Sequence, residues 1–294
     1  MKKIDVHAHS TMWGDNLPTF GTPLISPEKL KERYNELNIE KGFILPLLSP
    51  ESRNFVQSNE EIEYIANNNA DTFFWFCNID ARMGGNNKES DLSKLLNYYK
   101  EKGAKGVGEI TANMYIDEPF MDNLFYHCEK CEMPVTIHMS PEKYGCYGVI
   151  DDLGLGRLEK MLKKYPKLKI LGHSQCFWSE IDSGVTVENR NGYPKGKVVE
   201  GAVIRIMREC PNLYCDLSAG SGYNALSRDE DFAYKFIEEF GERLLFGTDF
   251  YMPAQNILLA EWLDAAYKNS CITEENYKKI CRENAIKIFD LKGE

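Results

Sequence analysis

The chain lacks an excess of basic charge. Thirty-five Lys and Arg face 45 Asp and Glu over 294 residues, a formal charge of −10, so the electrostatic footprint that holds nucleic acid or anionic lipid is missing. It also lacks any apolar run near the roughly 20 residues a membrane span needs. The opening MKKIDVHAHS carries no apolar stretch behind its lysines, so a soluble, unexported chain is expected. The nine cysteines are odd in number and scattered, and Cys128 and Cys131, the one close pair, have no second pair at zinc-finger spacing. Reduced thiols in a cytoplasm follow from that pattern. No repeat, low-complexity tract or linker is found, so residues 1–294 are expected to form a single domain. No G-x-G-x-x-G follows the first strand-like run, which argues against a dinucleotide-binding open sheet.

What is present is a regular alternation. Eight β-rich runs, at 2–9, 41–48, 72–80, 105–110, 134–139, 167–173, 212–218 and 243–249, are separated by amphipathic stretches with helix-start chemistry. Ser26 followed by Pro27 is one such start, because Ser caps a helix and Pro suits its first turn. This rhythm predicts a parallel α/β fold, a closed (β/α)8 TIM barrel. Two helical patterns follow the eighth run, so the last is read as an extra C-terminal helix. Residues 174–194 form the longest irregular stretch and are expected to be a lid or pocket wall.

Only five histidines occur, and four lie at the C-terminal ends of predicted strands: His7 and His9 on the first, His138 on the fifth, His173 on the sixth. Alternation along a strand puts Asp5, His7 and His9 on one face, toward the barrel axis. Asp249, in FGTDF at the end of the eighth strand, reaches the same rim, where active sites of this architecture sit. Imidazoles and a carboxylate suit Zn²⁺ or a similar divalent ion, with a position left for water or substrate. Singly, His138 or His173 reads as a core histidine and Asp249 as a helix cap; the combination points to metal-activated chemistry. His127, inside a helical pattern, is not expected to be a ligand.

The segments IDVHAH, TIHMS, LGHSQ and LLFGTDF, with ENAIKIF near the end, resemble the amidohydrolase superfamily. The closer likeness is to the amidohydrolase-related group that includes aminocarboxymuconate-semialdehyde decarboxylase and aromatic-acid decarboxylases. The resemblance implies a distorted barrel holding a divalent ion on His7, His9, His138 and Asp249. His173 would be the acid/base beside it, with Asp249 taking the water proton while it ligates. One ion is favoured and two are allowed. Glu109, in KGVGEI at the fourth strand end, matches the position of a bridging group in two-metal members, and GVGEI resembles a motif of TatD-like deoxyribonucleases. If Glu109 bridges, His138 and His173 hold a second ion. Otherwise it orients a ligand histidine or pairs with a rim arginine such as Arg53 or Arg82. The acidic composition argues against nuclease activity.

Trp13, Trp178, Tyr144, Tyr147, Tyr193, Tyr251 and Met252 fall in loops at the same barrel end, which suggests a partly apolar pocket for a small molecule. Arg82 and Arg190 are candidates to pair with a substrate carboxylate, and Trp178 and Tyr251 to contact the substrate. SAGSGYNAL after the seventh strand reads either as an anion-cradling turn or as a tight turn before a helix. The expected activity is metal-dependent hydrolysis of a small amide, ester or lactone. The alternatives are non-oxidative decarboxylation of an unsaturated or aromatic acid, and metal or ligand binding without turnover. A homodimer is implied by the resemblance only.

Overall fold

A computed structural model describes residues 1–14, 24–51 and 55–291; Arg53 lies outside the described residues. All eight expected strands form, and the structure adds one short strand. The first half contains β1 (Lys3–Ala8), α1 (Pro27–Glu36), β2 (Ile39–Ile44), α2 (Asn59–Asn68), β3 (Phe73–Trp75), α3 (Ser93–Glu101), β4 (Val107–Ile110), α4 (Pro119–Lys130) and β5 (Val135–Ser140). The added strand β6 (Val149–Ile150) pairs with the end of β5. Then follow α5 (Gly156–Lys164), β7 (Ile170–His173), α6 (Gln175–Ser179), α7 (Ala202–Glu209), β8 (Leu213–Asp216) and α8 (Ala219–Ser227). The chain continues through α9 (Glu230–Phe240), β9 (Leu244–Leu245), α10 (Leu258–Lys268), α11 (Glu274–Lys278) and α12 (Asn284–Ile288), with a π-helical turn at Lys279–Glu283 joining the last two.

The strands pair in parallel as β1-β2-β3 and β4-β5-β7-β8-β9. The two sheets are linked edge to edge by parallel bridges from Cys77 to Val107 and from Ala8 to Phe250. Gly108 N donates to Cys77 O at 2.8 Å and His9 N to Phe250 O at 2.7 Å. The result is the (β/α)8 order that the rhythm predicted. Ser26 caps α1 as expected, accepting from Lys29 N. Among the described residues, no helix is long and apolar enough to cross a membrane, and all nine cysteines are free.

Strict alternation along β1 is not what forms. Its register shifts between Asp5 and Ala8, and the shift separates three residues that sequence spacing placed on one face. Ile4 and Val6 join an interior cluster with Phe43, Phe76, Leu171 and Leu245, into which the C-terminal helix inserts Ile288 and Phe289. Asp5 instead turns toward α1, where its carboxylate accepts from Tyr34 Oη at 2.7 Å, while His7 and His9 turn toward each other.

Asp5 is buried and accepts three further bonds, from His7 N (3.0 Å), Thr248 N (2.8 Å) and Thr248 Oγ1 (2.6 Å). Burial pushes its carboxyl up to about 6, against the pull of these donors. The contact with Tyr34 depends on Gly42 in β2, where a Cβ would stand 2.1 Å from Tyr34 Oη.

Asp5→Ala is expected to lose about 3 kcal/mol or more in urea unfolding, because it strands buried donors from three elements. Gly42→Ala is expected to lose about 1–3 kcal/mol by displacing the tyrosine. Its cost should shrink when combined with Tyr34→Phe, since both act on one contact; full additivity would show that Gly42 serves something else.

Candidate metal centre and active-site cavity

The C-terminal ends of the strands meet at a cavity of about 940 Å³ lined in part by His9, Glu109, His138, His173, Asp249 and Tyr251. His7 Nε2 and His9 Nε2 lie 3.2 Å apart. Asp249 Oδ1 is 3.7 Å from the first and 3.4 Å from the second, and Glu109 Oε2 is 3.8 and 3.6 Å from them. These separations of 3.2–3.8 Å are those expected between donor atoms that share one ion with a reach of about 2.0–2.2 Å to nitrogen and oxygen. The donor set and its spacing therefore suit a divalent ion.

The other oxygen of Glu109 faces a second group. Glu109 Oε1 is 2.7 Å from His138 Nδ1 and 3.7 Å from His173 Nε2. His7, His9 and Asp249 thus make one metal-compatible cluster and Glu109, His138 and His173 another. The resemblance implied one ion on His7, His9, His138 and Asp249; here His138 Nδ1 meets Glu109 Oε1, and Glu109 Oε2 lies within 3.8 Å of both strand 1 histidines.

Three histidines are aimed by what holds their outer nitrogens. His7 Nδ1 meets Asp216 Oδ2 at 2.6 Å, His9 Nδ1 meets the Leu45 carbonyl at 2.9 Å, and His173 Nδ1 meets Ser218 Oγ at 3.0 Å. Such partners fix ring orientation and leave Nε2 pointing inward. The backbone contributes as well: Ser174, Ala219 and Asp249, each just past a strand end, hold positive φ angles of 100°, 62° and 53°. Non-glycine residues in that region are strained and concentrate at functional sites. Gly247 lets its loop pass close to β8, since a Cβ there would stand 2.7 Å from Asp216 Oδ1.

Ionisable groups are concentrated here, and no Lys or Arg is among the described residues that line the cavity. Burial opposes protonation of His7, yet Asp216, by charge and hydrogen bond, with Glu109 and Asp249 behind it, pushes the imidazole up to about 10. Burial likewise opposes protonation of His9, and hydrogen bonds to Asp249 and Glu109 raise it. His173 goes the other way, because burial outweighs its carboxylate neighbours. Burial resists ionisation of Glu109, but His138, with His7 and His9, holds it well below the usual carboxylate range. Asp249 is also resisted by burial and lowered, by its bond to His9 and the charges of His7 and His173.

The structure divides the weaker sequence candidates between the cavity and its surroundings. Tyr251 lines the cavity, as do Tyr147, Tyr193 and Met252. Trp178 belongs to the buried α6 and donates its indole N–H to Asp216 O at 2.9 Å, so it supports the wall from behind. Arg190 is buried against Glu180 at 3.0 Å and donates to Asp151 O at 2.9 Å, which fixes the loop rather than facing a substrate. Arg82 pairs with Asp80 and Glu51 and is not among the lining residues. Trp13 and Tyr144 are exposed away from the lining, and His127 sits on α4. The stretch 174–194 supplies Gln175 and Tyr193 to the wall and begins with α6; Ile181 and Arg190 are buried, and most of 183–189 is exposed. Asp216 escaped the sequence reading, although it ends an apolar strand just as the chosen histidines do, and Ser218 was read only as the start of the SAGSGYNAL turn.

Residues 100–291 match the amidohydrolase family, and the chain belongs to it. No curated protein matches the chain. Several solved structures share the fold. An uncharacterized TIM-barrel protein from Bordetella bronchiseptica superposes with a TM-score of 0.68 at 17% identity, covering 100% of both chains. A probable 2-pyrone-4,6-dicarboxylic acid hydrolase from Acinetobacter baumannii, solved with citric acid, gives 0.62 at 16% identity, over 99% of this chain and 100% of that one. A dihydroxybenzoic acid decarboxylase from Polaromonas sp. JS666, solved with manganese and 2-nitroresorcinol, gives 0.60 at 17% identity, over 100% and 98%.

Neutral imidazole is required to ligate a metal, so a cation at Nε2 must displace the second proton, which the charge of Asp216 favours on His7, while the Nδ1–H bonded to Asp216 stays. Calorimetry of Zn²⁺ binding to chelator-stripped protein, in buffers of different ionisation heat, is expected to show release of about one proton or more per chain at pH 7. Affinity should rise with pH as that proton is lost, and Asp216→Asn should reduce the release. Binding without proton release would place the ion away from His7.

Proposed function

We propose that this protein is a metal-dependent hydrolase of a small amide, ester or lactone, with Glu109 shared between two cation positions. The observation that carries the reading is the two-sidedness of Glu109, whose Oε2 faces His7 and His9 and whose Oε1 faces His138 and His173. His7, His9, Asp249 and Glu109 would hold one ion, Glu109, His138 and His173 the other. Divalent ions there would supply Lewis-acid polarisation and bring the pKa of water from 15.7 toward about 7. Zn²⁺ suits the nitrogen-rich donor set, and Mn²⁺ is the alternative, in line with the ion in the Polaromonas decarboxylase.

The chain's own residues do the rest. Asp249 is the most accessible carboxylate of the group, with a side chain 21% exposed against 5% for Glu109. Held ionised by His9, it accepts the proton of an attacking water and passes it to the leaving group. His173, kept neutral by burial, is ready to ligate without first losing a proton. In the one-ion form it is instead the acid/base that polarises the scissile carbonyl. Tyr147, Tyr193 and Tyr251 line the cavity and would contact the substrate. The proposal includes a small-molecule partner, a cytoplasmic setting and a possible pairing of chains as a homodimer.

Decarboxylation is the second reading, favoured by the shared fold of the Polaromonas enzyme and of 2,6-dihydroxybenzoate decarboxylase from Rhizobium. The same residues would then hold substrate oxygens and deliver a proton to carbon.

Elemental analysis of protein purified without chelator or a metal-binding tag is expected to find about two ions per chain, falling to one in Glu109→Gln. Asp249→Asn should lower turnover of the best lactone, amide or ester by about 10²–10⁴. One ion, unchanged in Glu109→Gln, would restore the single-ion site with His173 as acid/base; CO2 release without hydrolysis would establish the decarboxylase instead. Metal binding without turnover across such a screen would leave a binding barrel.

A further inference from the structure

A second concavity, of about 820 Å³, lies at the end of the barrel opposite the metal centre. Its walls include the segments that lead into β4, β5 and β7 and the last turn of α12. Those three strands carry Glu109, His138 and His173 toward the other end. Six lysines line the hollow, Lys100, Lys105, Lys130, Lys167, Lys169 and Lys287, in a chain whose formal charge is −10. Lys100, Lys130, Lys167 and Lys287 are exposed, and Lys105 and Lys169 are half-buried.

Helix poles account for part of this gathering. Lys100, Lys130 and Lys287 fall in the last turns of α3, α4 and α12, where a cation meets the negative end of a helix. Lys105, Lys167 and Lys169 have no such place, since they stand in the loops that enter β4 and β7. Pairing does not account for the rest. Outside the hollow, Lys102, Lys160, Lys163 and Lys164 meet Glu63, Asp117, Glu159 and Asp122. None of the six lysines within it makes an ion pair among the described residues.

Two of the six are held by carbonyls instead. Lys100 Nζ donates to Cys131 O at 2.6 Å and Lys169 Nζ to Ile288 O at 3.2 Å. An ammonium has three donors, so each keeps others to offer. Burial and the charge of Lys287 press the Lys169 ammonium toward losing its proton, against Asp290 and Glu132. Three carboxylates share the lining, Glu129, Glu132 and Asp290, and the lysines exceed them by three. Glu129 is already engaged, accepting from Lys167 N at 2.9 Å. Like charge gathered in one concavity repels itself and draws in an anion.

We propose that this hollow binds a diphosphate group, whatever reaction the metal centre performs. Each phosphate carries about −1.5 to −2 charge at pH 7, so two joined phosphates bring roughly the charge that the lining leaves unmatched. Ammonium groups act as point charges, which suits an anion with many oxygens and no single plane. The volume is that of a small-molecule site. Tyr126 on α4 is exposed at the wall and offers a nucleoside base a ring to stack on. The diphosphate therefore comes either as a nucleoside diphosphate or as the free anion.

The metal-loaded enzyme is titrated by calorimetry with ADP, inorganic pyrophosphate, AMP and citrate at about 0.1 M salt. ADP or pyrophosphate is expected to bind saturably and at least about tenfold more tightly than AMP or citrate, with affinity falling as salt rises. Lys167→Gln combined with Lys287→Gln, both at exposed positions, should weaken that binding at least about tenfold. Lys102→Gln, outside the hollow, and Asp249→Asn, at the other end of the barrel, should leave it unchanged. ADP binding more tightly than pyrophosphate, with the difference lost in Tyr126→Ala, identifies a nucleoside diphosphate; equal affinity identifies the diphosphate itself. Metal content is read on the same samples. The proposal is overturned by the absence of saturable binding, by binding that survives loss of the two lysines, by binding lost in Asp249→Asn, or by citrate binding as tightly as the diphosphates.

Discussion

The buried carboxylate of Asp5 is the constraint on which the rest of the site depends. It accepts from the backbone of His7, from both the backbone and hydroxyl of Thr248, and from the hydroxyl of Tyr34. One side chain thus ties the first strand to the residue just before Asp249 and to the first helix, across the edge where the two sheets join. An ionised group in so dry a place is stable only while its hydrogen bonds are made. The same four bonds that make Asp5 tolerable therefore set how far His7 stands from Asp249.

From that anchor the site is built by assigning the outer atom of each functional side chain. Asp216, the Leu45 carbonyl and Ser218 take the Nδ1 positions of His7, His9 and His173. What remains free converges on Glu109 and Asp249, so several carboxylates and imidazoles share one end of the cavity. The neighbouring carboxylates push His7 up, and the imidazoles hold Glu109 below the usual carboxylate range, both against burial. Strained backbone at Ser174, Ala219 and Asp249 is kept by the surrounding pairing. Stability is traded for an arrangement that is ready before any ligand arrives.

Specificity resides in different parts. The aromatic loop residues that sequence placed near the pocket divide into those that reach it, such as Tyr147, Tyr193 and Tyr251, and those that support it from behind, such as Trp178. The two arginines that sequence offered as substrate partners are consumed by Glu180, Asp80 and Glu51.

The sequence by itself determined the strand and helix order, the end of the barrel where chemistry sits, and five of its central residues: His7, His9, His138, His173 and Asp249. Periodicity reports a residue's position along its own element, and strand ends in this fold all point to one place. Glu109 was legible as a residue at the right strand end, but its role was not, because bridging depends on which way two oxygens face. Only the tertiary structure decided that Asp5 leaves the face shared by His7 and His9, since one shifted register in β1 overrides alternation. It alone placed Asp216 and Ser218 behind the histidines and took Arg190 and Trp178 out of the pocket. Those outcomes depend on contacts between residues far apart in the chain, Asp216 and His7 for example, whose pairing no local pattern encodes.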